Sequence, residues 1–366
     1  MLSYLYNYTH LPSASSTTVS SSTHASDSLG SDFAARLQIW IWQGLLALNR
    51  HACGIGALVG DVVTDKKYLE IPTEIATNKW IKMKRNAAPN GSLMRTHPIG
   101  VIGVGLSEEK TFDLSVAVGW TTHVDPRCTV SCCIEVALVR GLLRGDIVDE
   151  EDLDACIERS YKWVKSQPHL MNPGDGELTK DEIAQLLNRE EFDRHVYAET
   201  LEELQLDESG KIGYAYKCLG SAIVLLRLAM RRDSIILEPN GPLVAETTFE
   251  ELTVDLIMEA GDADTNGAAA CALLGAYLGY ANLPSHWTQG LAHKEWLMAK
   301  TYRLAVASGV IVDTLEPEED EAADGGRGLM SNAELAKRNA TIAKELRQER
   351  AEAKKKREKA NKRLAE

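Results

Sequence analysis

The chain has no paired C-x-x-C spacing among its seven cysteines, Cys53, Cys128, Cys132, Cys133, Cys156, Cys218 and Cys271. Their scatter and odd number exclude a zinc framework, and no secretory signal precedes them. They read as reduced, mostly core residues of an intracellular protein, cytoplasmic or nuclear and not secreted. Long apolar runs are also missing. The longest, Gly267 to Leu283, is short, rich in Gly and Ala, and closed by Pro284, which argues against a membrane span. Positive charge is in deficit: 40 Lys and Arg against 53 Asp and Glu give a formal −13, which argues against nucleic acid as a partner of the body. The Gly54-Ile55-Gly56 pair follows no strand and opens no βαβ unit, so it reads as a helix junction and not as a nucleotide loop.

What is present centres on Glu259 to Trp287, EAGDADTNGAAACALLGAYLGYANLPSHW. Asp262, Asp264 and Thr265 crowd into four residues at the head of a small-residue helix. Gly267, Cys271, Gly275 and Gly279 recur every fourth residue, a stripe that predicts close approach by another helix. The oxygens are then expected where a buried helix begins, with a cation as their natural partner. A calcium loop would need a bidentate Glu at its twelfth position, where Leu273 stands. An Asp-x-Asp phosphatase motif would need the first Asp to close a β-branched strand, and Ile257-Met258-Glu259-Ala260-Gly261 precede it instead. The remaining alternative is a plain helix N-cap with acids near the positive end of the dipole, which requires no metal.

GDADTNGAAACALLGAYLGYANLPSHW resembles the C-terminal metal motif of the ADP-ribosylglycohydrolases, especially their fungal branch. Asn90-Gly91-Ser92-Leu93-Met94-Arg95 resembles the family's Asn-Gly-x-x-Met-Arg loop beside bound ADP-ribose. Thr122-His123-x-Asp125-Pro126 resembles its Thr-His-x-x-Pro segment, whose His faces the diphosphate or ribose. The resemblance covers roughly residues 1–310. It implies an all-α fold, a compact orthogonal helical bundle of the ADP-ribosylglycohydrolase type, and two magnesium ions. It also implies metal ligands at Asp262, Asp264 and Thr265, and substrate contacts at Asn90, Gly91, Ser92 and His123. No residue is assigned as the catalytic base. Taken alone, the Asn-Gly pair is a turn, and a single His before a helix is more often structural than a ligand.

The remaining segments fill in this outline. Residues 1–31 hold a partial helix and a Ser/Thr-rich run, Ser13 to Ser28, expected to be a disordered loop. Asp32 is placed as the N-cap of a helix carrying Leu37, Ile41 and Leu45 on one face, opening a main domain over 32–312. Further helices are predicted over about 73–84 and from Pro126 to Arg144. An acidic variable insertion spans about 145–210, with a capping box at Thr179 and Glu182. Lys217-Cys218-Leu219-Gly220 opens a core helix predicted to pack on the one after Asp264. Residues 313–366 form an acidic linker and a charged helical tail. From Ser331 on, 12 Lys and Arg stand against 6 Glu, with Glu334–Arg338 in i,i+4 order. Leu335, Ile342 and Leu346 start a heptad seam, but Glu349, Lys356 and Arg363 take its later positions, so a solvated helix is preferred to a stable coiled coil. Such a tail could touch nucleic acid weakly, and the body is expected to be monomeric.

Cleaving a glycosidic bond to ribose builds positive charge at the anomeric carbon, and two ions can hold the hydroxyls and position the attacking water. In the family an upstream Thr-Asp-Asp supplies the other side of that cluster. No Thr-Asp-Asp or Ser-Asp-Asp occurs in this chain, and Met1-Leu2-Ser3-Tyr4-Leu5 looks like the continuation of the helix that such a motif begins. Little hydrolase activity is therefore expected of the 366 residues as written. Three functions stay open: a metal-dependent ADP-ribosylglycohydrolase, an ADP-ribose binder without turnover, and an α-helical interaction protein working through its tail.

Overall fold

A computed structural model describes residues 21–52, 54–236, 245–316, 318, 322, 324 and 328–365. Helices α1 to α7 are Ser21–Gln43, Ala57–Val63, Pro72–Lys82, His97–Ile102, Glu108–Gly119, Pro126–Arg144 and Glu150–Ser166. Four short helices follow: α8 Pro168–Met171, α9 Lys180–Leu186, α10 Arg189–Val196 and α11 Leu201–Leu204. The long α12, Ala215–Ile236, α13, Ala245–Met258, and α14, Ala263–Leu278, come next. α15, Ser285–Gly290, and α16, Lys294–Ala307, precede the tail helix α17, Asn332–Ala365. The fold is all-α: among the described residues, β-type pairing is limited to isolated bridges, Leu45–Arg50 and Pro89–Tyr214.

The described chain divides into two compact units. The larger contains the described residues through Ala35 and from Gly56 to 316. Its core is threaded by α6. The Asp125 side chain caps the first turn by accepting from the Arg127 N–H, Pro126 occupies the first helical turn, and Gly145 ends the helix at φ +71°. Cys128 through Val139 are all buried, so over this stretch α6 has no solvent face and is packed by α4, α5, α7, α12 and α14. Close approach by α4 depends on Gly100, where a Cβ would stand 2.6 Å from Val139 Cβ and 2.8 Å from the Val136 carbonyl oxygen.

α12 and α14 form the most extensive helix pair, as the Lys217–Gly220 segment predicts. The contact face of α14 differs from the expected one. Asn266, Ala269, Ala270, Leu273, Leu274 and Leu278 are buried, while Gly267, Cys271, Gly275 and Gly279 are half-buried. A Cβ added at Gly267 or Gly275 would meet nothing within 4 Å among the described residues. Burying the larger aliphatic side chains yields more, about 1.5–3 kcal/mol for a Leu, than close backbone approach along the glycines. The leucine face therefore wins.

Three further expectations are corrected. Asp32 does not start a helix: α1 begins at Ser21 and runs through it, and Leu45 lies beyond its end with 37 % of its surface exposed. Ser21 to Ser28 are accordingly helical and not a loop, and residues 1–20 lie outside the described residues. Glu334 does not pair with Arg338, because its carboxylate accepts from the Ser331 N–H at 2.8 Å and the Ser331 hydroxyl at 2.7 Å in a capping arrangement at the head of α17. The capping box at Thr179 and Glu182 forms as read. The six described cysteines are free thiols, all buried except the half-buried Cys271, and Cys53 lies outside the described residues.

The smaller unit joins Arg36–Ile55 to the described residues from Glu318 onward. Within it the Gln43 amide pairs with the main chain of Met330, accepting from its N–H at 2.9 Å and donating to its carbonyl at 3.2 Å. No described helix is long and apolar enough to cross a membrane.

Candidate functional site

Three segments far apart in sequence meet at the head of α14. Ala260 and Gly261 both adopt positive φ, +60° and +68°, which turns the chain sharply from α13 into Asp262. At Gly261 any Cβ would lie 2.2 Å from the Leu206 carbonyl oxygen, so only glycine fits. The loop ahead of α12 also holds the Asn90 segment: Asn90 N–H donates to Gly213 O and Ala215 N–H to Ala88 O, each at 2.9 Å. Across this junction Asn90 Nδ2 donates to Asp262 Oδ2 at 2.8 Å. Gly213 lies against both partners, 3.6 Å from each to its ideal Cβ position.

Asp262 is half-buried and Asp264 exposed, so burial does not force a cation on these carboxylates as the sequence suggested. Asp262 stands at the N-cap of α14 but makes no side-chain cap bond, its Oδ2 being held by Asn90. Asp264 Oδ1 accepts from the Thr265 N–H at 3.0 Å. Thr265 is buried, and its hydroxyl donates to the Met94 sulfur at 3.7 Å. Two carboxylates and a hydroxyl suit a hard, oxygen-preferring ion such as magnesium. Among the described residues, no group of three or more His, Cys, Asp or Glu side chains is arranged to hold a metal ion. The donor types thus match the chemistry of magnesium, but no third acid joins them among the described residues.

Gly91 and His123 are in contact, with a Cβ at Gly91 falling 3.2 Å from His123 Nε2. Any larger residue there would press on the ring. Arg95 Nη2 donates to Thr122 Oγ1 at 2.7 Å, and the same hydroxyl lies 2.7 Å from His123 Nδ1. The Thr122 hydroxyl can donate to Nδ1 or accept from it, and the first arrangement leaves the hydrogen of the neutral ring on Nε2. That nitrogen is buried and has no hydrogen-bond partner among the described residues. Burial, reinforced by the Arg95 charge, holds the His123 pKa well below the ordinary histidine value, so the ring is neutral at physiological pH.

Ser92 faces the other way. It is buried, and its hydroxyl accepts from the Cys132 thiol at 3.4 Å, while Cys128 Sγ donates to the Pro89 carbonyl at 3.3 Å. These α6 thiols support the loop from behind, and burial pushes the Cys132 pKa up to about 11. Arg95 is likewise internal: besides Thr122 it sits 5.0 Å from the Phe33 ring centroid. Asp125 is fully buried and accepts from Trp80 Nε1 at 2.8 Å and from the Arg127 N–H, Nε and Nη2. Its role is to pin the start of α6.

Glu135 and Asn266 escaped the sequence reading. Both are fully buried, and neither the carboxyl nor the amide has a hydrogen-bond partner among the described residues. Glu135 shares one face of α6 with Cys128 and Cys132, at i+7 and i+3, directly behind the Asn90 loop. Burial pushes its pKa up to about 8. An acid inside the apolar run Cys-Cys-Ile-Glu-Val-Ala-Leu-Val is the sequence signal that could have flagged it.

No curated protein matches the chain. A family model described as ADP-ribosylglycohydrolase matches residues 11–318, a span that takes in the Asn90 loop, His123 and the Asp262–Thr265 turn. The chain therefore belongs to the ADP-ribosylglycohydrolase family.

Proposed function

We propose that the chain engages ADP-ribosyl groups at the junction of the Asn90 loop, His123 and the head of α14. On this reading Asp262, Asp264 and Thr265 hold magnesium, which when bound would orient the ribose hydroxyls and the water attacking the glycosidic bond to a protein or small-molecule acceptor. The carrying observation is the Asn90–Asp262 hydrogen bond, which brings two of the motif segments into contact while Gly91 stacks the loop over His123. The unpartnered Nε2–H of neutral His123 is suited to donate to a ribose or diphosphate oxygen without adding charge.

A second reading, binding without turnover, is favoured by the Asp262 carboxylate, whose Oδ2 is already engaged by Asn90. Thermal melts with magnesium and with ADP-ribose, alongside release of ADP-ribose from a modified peptide, separate the two. We expect ADP-ribose to raise the melting temperature with little release, and Asp264→Asn to abolish any magnesium-induced rise. Robust magnesium-dependent release would restore the enzymatic reading. No stabilisation by either ligand would remove both, and an unchanged magnesium shift in Asp264→Asn would move the ion elsewhere.

A further inference from the structure

A cavity of about 660 Å³ lies between α3, the C-terminal end of α5 and the Gly30–Ser31 turn of α1. None of its lining residues belongs to the Asn90 loop or the Asp262–Thr265 turn. Its volume is that of a small-molecule site.

The chemistry of its walls is one-sided. Among the described residues no Lys, Arg or His lines it. Glu74 and Asn78, one helical turn apart on α3, both line it; both are exposed, and neither side chain has a hydrogen bond or ion pair among the described residues. The Thr77 hydroxyl already donates to the Thr73 carbonyl at 2.8 Å, and the Thr121 hydroxyl to the Val118 carbonyl at 2.7 Å, so toward the cavity both can only accept. Trp120 also lines the cavity, and because its indole N–H is donated to Thr129 Oγ1 at 3.0 Å it has no side-chain donor to spare.

An uncompensated carboxylate, acceptor-only hydroxyls and an electron-rich ring repel phosphate and other anions. The same groups attract a cation, through charge pairing at Glu74 and cation–π contact at Trp120. We propose that this cavity binds a small organic cation whose charged head sits between Glu74 and Trp120, with Asn78 adding a carbonyl acceptor. The site is independent of the ADP-ribose reading, because it shares no residue with that junction.

Titration calorimetry of the full chain with agmatine as the cationic probe, and with ADP as an anion, tests the proposal. We expect saturable agmatine binding with a Kd on the order of 1 mM, unaffected by ADP. Glu74→Gln, which should leave the melting temperature unchanged at this exposed position, is expected to weaken it about tenfold. Glu151→Gln, an exposed acid outside the cavity, should bind as the parent chain does. Absence of saturable heat would overturn the assignment. So would a Glu74→Gln protein that binds normally, or a Glu151→Gln protein weakened to the same degree, since the attraction would then come from the net charge alone.

Discussion

Asn90 and Asp262, 172 positions apart, are joined by a hydrogen bond of 2.8 Å. It fastens a loop ahead of α4 to the first residue of the turn that opens α14. The bond is partly buried and one partner is ionised, so its loss leaves a half-buried carboxylate oxygen without a donor. Asn90→Ala is expected to lower unfolding stability by about 1–2 kcal/mol, read as a drop in urea midpoint at unchanged slope. A midpoint equal to the parent's would mean that the contact contributes nothing in solution.

Asp125 gathers more bonds than any other buried acid described here. Removing it leaves the Trp80 indole N–H unpartnered, reduces Arg127 to its bond with Asn86 Oδ1 at 3.1 Å and strips the N-cap from α6. Asp125→Ala should cost on the order of 3–5 kcal/mol, and Asp125→Asn, which keeps one acceptor, clearly less. Equal losses in the two variants would show that the charge, and not the acceptor geometry, dominates.

His123 predicts a dependence on acid. Its folded pKa is held well below the 6.5 of the free side chain, so in that window the unfolded chain takes up a proton that the folded chain refuses. Stability from the neutral ring is present above about pH 6.5 and declines as pH falls below it. Nitrogen NMR of the labelled imidazole should show the neutral form, with hydrogen on Nε2, at pH 6. A ring already protonated there would contradict the burial argument.

Glu135 runs the other way. Its folded pKa of about 8 lies above the ordinary 4.5, so the folded state retains a proton that the unfolded state releases. The contribution is full below about pH 4.5 and lost as pH rises toward 8. Glu135→Gln should be more stable than the parent at pH 8 by at least about 1 kcal/mol, with the gap narrowing toward pH 5. A gap independent of pH would mean that Glu135 does not carry the proton.

Where local chemistry decides the outcome, the sequence was informative. Asp125-Pro126 ahead of an apolar run starts α6 where expected, and Thr179 with Glu182 caps α9 as read. Longer-range outcomes were less legible. Nothing local distinguishes the glycine stripe of α14 from its leucine face, because the choice depends on what α12 and α6 present to it. Asp32 is a plausible N-cap, and only the continuation of α1 from Ser21 overrides it. At the junction the motif residues could be named from the chain, but the role of Ser92 could not. Its hydroxyl is turned inward by a thiol forty positions away.

The Gln43–Met330 pairing has a further consequence. Both bonds go to the main chain of Met330, so the glutamine amide behaves like the edge of a neighbouring strand and takes no account of the side chain it meets. The anchor ahead of the tail helix is therefore indifferent to sequence at position 330. Any residue that supplies an N–H preserves it, and proline, which has none, is the one replacement that would remove one of its two bonds.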